Sequence, residues 1–369
     1  MKKTLIKEVS ENDLQAVLDA YALDEFYYPS FFPVMFTPTL TWRALSGDYG
    51  INVAADVVSY NAAAPRKTRN VIERLTGKIP KIEIVRVKEE TDLNEYQHLQ
   101  YYYGTQEGQR ALMNWVYADT DFCFKGVNAR LEWLALRALS TGGFVLDSTN
   151  NAGTVTETKV DFGVPDAHRI ATSLTWSADN AATAKPISDI REVVSKGVGQ
   201  GLVLKYMLMD LETFYAMMAC NQAIDFCSAW VPQVGRIKIP SVDEVNLALR
   251  AHRLPEIRIV DTYVTLESAA GNRTTVNPWQ SGIVTFIPEL ACGYTYHGPM
   301  ADEMVADSVA TKAKREHILI KKYSTEDPVT EVTKGIANAI PVWGNADRCY
   351  LFDTRAAVAD KSEQEQDGE

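Results

Sequence analysis

The segment Lys196-Gly197-Val198-Gly199-Gln200-Gly201 has the glycine density of a loop that cradles phosphate. A dinucleotide site of that kind needs a strand before the glycines and a helix after them, so that backbone N–H groups at the helix start face the anion. Here a helical pattern precedes the glycines and a strand-like run, 202–209, follows them. The segment therefore reads as a helix stop and a turn. The five histidines, at 98, 168, 252, 297 and 317, never fall at metal-ligand spacing. The five cysteines, at 123, 220, 227, 292 and 349, form no C-x-x-C pair and read as buried thiols packing as small hydrophobes. There is no Walker loop and no G-x-S-x-G elbow. No catalytic, cofactor-binding or metal residue is assigned, and the chain is expected not to be an enzyme.

The elements around these residues suggest a different kind of chemistry, that of contact between subunits. Residues 1–25 begin with a short helix that Ser10 can cap. The run Phe26-Tyr27-Tyr28-Pro29-Ser30-Phe31-Phe32-Pro33-Val34-Met35-Phe36 follows. Its prolines favour extended backbone, so it reads as an arm bearing large rings. Such an arm must lie on something, either its own domain's core or a partner subunit.

Residues 50–90 read as a long β-hairpin. Its strands are Ile51–Val58 and Lys81–Val87, the second strictly alternating between charged and apolar residues. Residues 66–88 hold Arg66, Lys67, Arg69, Arg74, Lys78, Lys81, Arg86 and Lys88 against Glu73 and Glu83, an excess of six positive charges. The whole chain has a net charge of -11. Three readings of the basic segment stand open: a solvated loop, an arm docking on an acidic neighbour where complementary charge sets register, or a nucleic-acid contact.

Residues 105–141 carry Leu112, Val116, Cys123, Val127, Leu131, Leu134 and Ala138 at helical spacing, with Gly142-Gly143 as a stop. A helix of that length spans about 55 Å. Beyond it come strands within 144–160, a helix opening at Pro186, and a strand over 202–209 with Asp210 capping the next helix. Ser241-Val242-Asp243-Glu244 forms a capping box, strands follow at 257–266 and 283–287, and 317–353 is mostly extended.

The chain has 369 residues, 46% hydrophobic and 23% charged, a composition that folds. A pI near 5.1 argues against a surface built to grip nucleic acid, without excluding a protein that encloses it. The start, Met1 to Glu8, lacks an apolar signal core, and no apolar stretch reaches the ~20 residues of a membrane span. The chain is expected to stay in the cytosol of the cell that makes it.

The order of features resembles the major capsid proteins of tailed phages, in particular the lambda-like E-type family with its Hong Kong 97-like fold. Val160-Asp161-Phe162-Gly163, then Leu174-Thr175-Trp176-Ser177 with Pro186-Ile187-Ser188-Asp189-Ile190, carry part of the resemblance. The rest lies in Ile283–Pro288, Gly293–Gly298, Lys322–Pro328 and Ile340-Pro341-Val342. The resemblance implies an α+β fold with an N-terminal arm (1–40), an extended β-hairpin loop (41–95) and a peripheral domain with a long spine helix (96–185). An axial α/β domain (186–299), a peripheral return (300–357) and an acidic tail (358–369) would complete it.

The resemblance further implies a virion structural protein assembled in the host cell cytoplasm, forming hexamers and pentamers of an icosahedral shell around double-stranded DNA without sequence-specific contact. Portal, scaffold and decoration proteins would be its further partners. It implies no cofactor and no membrane. The subunit interface is expected to use Phe26, Tyr27, Tyr28, Phe31, Phe32, Arg66, Lys67, Arg69, Arg74 and Lys78. The alternatives are an encapsulin-like compartment and a soluble α/β enzyme with a cryptic site.

Overall fold

A computed structural model describes residues 3–6, 9–46, 73–101, 105–153, 158–228, 240–268 and 271–355. The expected strand Ile51–Val58, the side chains of Arg66, Lys67 and Arg69, and the acidic tail lie outside these residues.

In chain order the elements begin with α1 (Glu11–Ala20), α2 (Tyr28–Phe31), β1 (Val34–Phe36), β2 (Thr41–Ser46), β3 (Glu73–Lys78), β4 (Lys81–Lys88), α3 (Glu90–Tyr101) and α4 (Gln106–Thr141). Next come β5 (Gly143–Leu146), β6 (Thr158–Asp161), β7 (Arg169–Ala171), α5 (Pro186–Gly199), β8 (Tyr206–Met209), α6 (Leu211–Met218), α7 (Asn221–Ser228) and α8 (Val242–Ala251). The chain continues with β9 (Glu256–Ile259), β10 (Val264–Glu267), β11 (Arg273–Val276), β12 (Ile283–Ile287), β13 (Gly293–His297), β14 (Thr311–Arg315), β15 (Ile318–Glu326), β16 (Val329–Trp343) and β17 (Tyr350–Asp353). Contacts divide the chain into two units, and the path crosses between them within β2, β3, α4 and β16 and just before β13.

The first unit comprises Met1–Arg43, Thr76–Ala135 and Gly293–Val342. Its six-stranded sheet runs β1-β13-β16-β15-β14, with β4 added to β16. The strands β14, β15 and β16 form an antiparallel meander, β4 lies antiparallel to residues 331–338, and β1 joins parallel to β13. The expected stripe of α4 is the core: Leu112, Val116, Cys123, Val127, Leu131 and Leu134 are buried.

The helix lies close against the sheet because two glycines leave room. A Cβ at Gly335 would stand 2.8 Å from the Cys123 carbonyl oxygen, and one at Gly126 would stand 2.6 Å from Ile84 Cδ1. Gly142 ends α4 with φ at +86, a conformation that favours glycine, and its N–H bonds the Ala138 carbonyl.

Lys81–Lys88 is a strand as its alternation implied and pairs with β16, while β3 pairs with β2. One expectation changes in this unit. The aromatic run is not extended throughout. Tyr28–Phe31 makes a helical turn with Pro29 in its first turn, where its missing N–H costs nothing, and only Val34–Phe36 is strand.

The second unit comprises Ala44–Leu75, Leu136–Cys292 and Trp343–Glu369. Its mixed sheet runs β7-β17-β12-β8-β9, drawing β7 and β17 from either side of the 186–299 stretch. The parallel pairs β8–β9 and β17–β7 flank β12, which is antiparallel to both its neighbours. One core joins this sheet to its helices, with Ile190 and Val193 of α5, Phe214 and Met217 of α6, Val245 and Leu249 of α8, and Met207, Val284 and Phe352 of the strands.

Local signals act as read. Asp210 accepts from Thr213 N–H, and Ser241 with Glu244 completes the capping box. The Asn246 side chain bonds both the N–H and the carbonyl of Ile257, fixing α8 to β9. The glycine-rich 196–201 segment ends α5, with Leu202 N–H returning to the Gly197 carbonyl. The expected 202–209 strand is confined to 206–209, and the expected 257–266 strand is divided into β9 and β10.

Candidate assembly surfaces

The cysteine thiols are held inert by burial. All five cysteines are free and buried. Burial raises every one of their thiols, Cys227 to about 11 and Cys123 to about 12. A thiol so shifted is not a nucleophile near neutral pH. Among the described residues no cluster of His, Cys, Asp or Glu could hold a metal ion, and no helix is long and apolar enough to cross a membrane.

The expected contact residues separate into two groups. Tyr28, Phe31 and Phe32 are buried within their own chain. The Tyr28 hydroxyl donates to Asn128 Oδ1 at 2.7 Å, and Glu132 accepts the backbone N–H groups of Tyr27 and Tyr28 at 3.0 and 2.7 Å. Phe26 and Tyr27 are half-buried. The rings left to solvent lie further along the segment. Phe36 is 58% exposed, with Met35 and Leu40 also exposed beside the sheet's edge strand. Sequence reading placed Phe36 in the aromatic run but did not select it, because which rings face outward depends on the distant helix α4.

The basic segment is partly consumed inside the chain. Lys88 Nζ lies 2.5 Å from Asp119 Oδ2, with both side chains buried, and Arg86 Nε lies 3.4 Å from the other oxygen of the same carboxylate. Lys81 pairs with Glu83 at 2.6 Å and Asp302 at 3.3 Å. Three of the eight cations therefore serve their own unit. Lys78 is exposed at the end of β3, and Arg74 lies within that strand.

One sheet face carries a lattice of ions. Lys321 and Lys81 share Asp302, Lys334 and Lys81 share Glu83, and Lys314 pairs with Glu303. These partners hold Asp302 and Glu83 below the usual carboxylate range against the opposing pull of burial. Beside this lattice, Val85 and Val87 of β4 are 44% and 45% exposed. On this sheet face the charges are paired, and Val85 and Val87 stand exposed beside them.

Comparison with known proteins follows from this geometry. The phage major capsid protein E family model matches residues 38–351. No curated protein matches the chain. Among solved structures, a capsid protein from an E. coli prophage is 14% identical, covering 94% of this chain and 99% of that one with a TM-score of 0.57. A phage-related protein from Bordetella bronchiseptica is 12% identical, covering 95% and 99% with a TM-score of 0.55. A chain in the capsid of Cyanophage A-1(L) is 10% identical, covering 91% and 94% with a TM-score of 0.50. At these identities the likeness is one of fold: α+β, of the Hong Kong 97-like kind.

Proposed function

Because this chain belongs to the phage major capsid protein E family, we propose that its copies close into hexamers and pentamers of an icosahedral shell around double-stranded DNA. It is a major capsid protein of a tailed phage, a structural component of the virion capsid. The observation that carries this reading is the family match over 38–351, which covers most of both units of the fold. A compartment holding cargo enzymes is not favoured by that match.

In the proposed shell residues 96–185 and 300–357 act as the peripheral domain, with α4 as its spine, and residues 186–299 as the axial domain. The extended loop (41–95) and the exposed part of the arm are the contacts with neighbouring copies in this reading. Arg66, Lys67, Arg69, Arg74 and Lys78 supply charge complementary to an acidic neighbour, and Phe26, Tyr27 and Phe36 supply apolar contact. Shell contacts of this kind are heterologous and must close, so each subunit needs several distinct surfaces. The net charge of -11 favours an enclosure that does not adsorb its DNA. Assembly takes place in the host cytoplasm, and portal, scaffold and decoration proteins are its further partners.

Sedimentation of the chain expressed alone tests the docking role. Wild type is expected to form large particles. Arg66→Glu, Lys67→Glu and Arg69→Glu together should leave folded subunits that fail to assemble. Normal particles from that triple variant would remove the basic segment from the interface.

A further inference from the structure

The strand path of the first unit ends in β14 on one side and β1 on the other, and the two edges are finished differently. An edge strand offers unpaired N–H and C=O groups to any extended backbone that reaches it. At β14 they are covered. The Gln15 side chain of α1 accepts the Lys314 N–H at 3.1 Å and donates to the Lys314 carbonyl at 3.0 Å, the two bonds a further strand would exchange with that residue. Arg315 holds the end of α1 by donating to the Leu18 and Tyr21 carbonyls at 2.8 and 2.5 Å, and Leu14 and Leu18 are buried. No strand can add at Lys314 while α1 lies there.

The β1 edge is open. Thr295 N–H bonds the Pro33 carbonyl, and Thr37 N–H bonds the His297 carbonyl. In the parallel register that pairs Val34 with Thr295 and Phe36 with His297, those bonds turn the backbone groups of residues 33, 35 and 37 toward β13. The N–H and C=O groups of Val34 and Phe36 therefore face away from the sheet, and among the described residues nothing bonds them. Met35, Phe36 and Leu40 are exposed along this edge. Pro38 has no N–H to continue the ladder, so an added strand has only Val34 and Phe36 to bond, which restricts how it can lie.

We propose, on the reading of this chain as a shell subunit, that this edge takes Ile51–Val58 of a second copy as an added strand. That segment is rich in β-branched residues and holds no proline or glycine. In extended form it places Ile51, Val53, Ala55 and Val57 on one face. Main-chain bonds to Val34 and Phe36 hold it, and its apolar face covers the exposed side chains of the edge. The donor segment and the acceptor edge are different surfaces of one chain, so the contact is heterologous. Each copy gives a strand to one neighbour and takes one from the other, and contacts of that kind close into rings.

Phe36 N–H faces away from β13, so Phe36→Pro removes one outward donor and leaves the β1–β13 bonds in place. Phe36→Ala removes the same ring and keeps the donor. Measured by sedimentation, the concentration needed for particles should be on the order of fivefold higher for Phe36→Pro than for Phe36→Ala. Equal thresholds overturn the proposal. A second measurement needs no proline and decides the matter if Phe36→Pro fails to fold. Met35→Cys in one copy is mixed before assembly with a tagged copy carrying a single added cysteine at each position from 51 to 58 in turn, then oxidised. The native cysteines are buried and do not compete. Crosslinks between copies at alternate positions are expected, because strand side chains alternate between faces. Particles that form with no such crosslinks, or with crosslinks at every position alike, overturn the added strand and leave the shell reading standing. A wild type that forms no particles overturns both.

Discussion

Lys88→Met should destabilise the first unit by about 3 kcal/mol. Lys88 and Asp119 form a buried ion pair at 2.5 Å, and Lys88 Nζ also donates to the Trp115 carbonyl at 3.1 Å and lies 4.2 Å above the Trp115 ring. Removing one partner of a buried pair typically costs ~3–5 kcal/mol, because the other charge stays desolvated. The low end applies here, since Arg86 reaches Asp119 from a half-exposed position and retains part of the pairing. Methionine keeps most of the lysine stem against Trp115, so lost packing adds little. Lys88→Met with Asp119→Leu removes both charges and should come within ~1 kcal/mol of wild type, as replaced buried pairs often do. Urea unfolding of unassembled subunits, followed by circular dichroism and by exchange protection of α4, gives all three values. A single variant costing under about 1 kcal/mol, or a double variant as poor as Asp119→Leu alone, would refute the reasoning.

Other substitutions probe different links. Phe36→Asp should leave the subunit folded, because its ring is mostly exposed, yet reduce particle yield in sedimentation. Ser241→Ala removes a capping box and should cost about 1 kcal/mol in chemical denaturation. Gly335→Val should cost ~1–3 kcal/mol or abolish soluble expression, since its side chain meets the Cys123 backbone. Burial lowers Lys322 to about 8, so below that pH the fold holds its charged form at a cost in stability. Lys322→Met should therefore gain thermal stability over wild type near pH 7, and the gain should shrink as pH rises from 8 toward 10.5.

What was legible in the sequence follows from locality. The helix α4 was readable because its stripe and its Gly142-Gly143 stop are contiguous signals, and the caps at Asp210 and Ser241 for the same reason. The turn at Tyr28–Phe31 was not, because the carboxylate holding its amides belongs to a residue more than a hundred positions away. Pairing of β4 with β16 was hidden likewise: alternation reveals a half-buried strand and says nothing of its partner. The division of cations between internal pairs and free surface also needed the fold, since Asp119 and Asp302 lie far along the chain from Lys88 and Lys81. The sheet of the second unit takes β7 and β17 from outside 186–299, so its strand order was not readable from that stretch alone.

Electron microscopy of the purified chain expressed alone tests shell formation most directly. Closed icosahedral particles, or rings of five and six subunits, are the expected result. A monodisperse monomer of 41.1 kDa that persists at high concentration would contradict it.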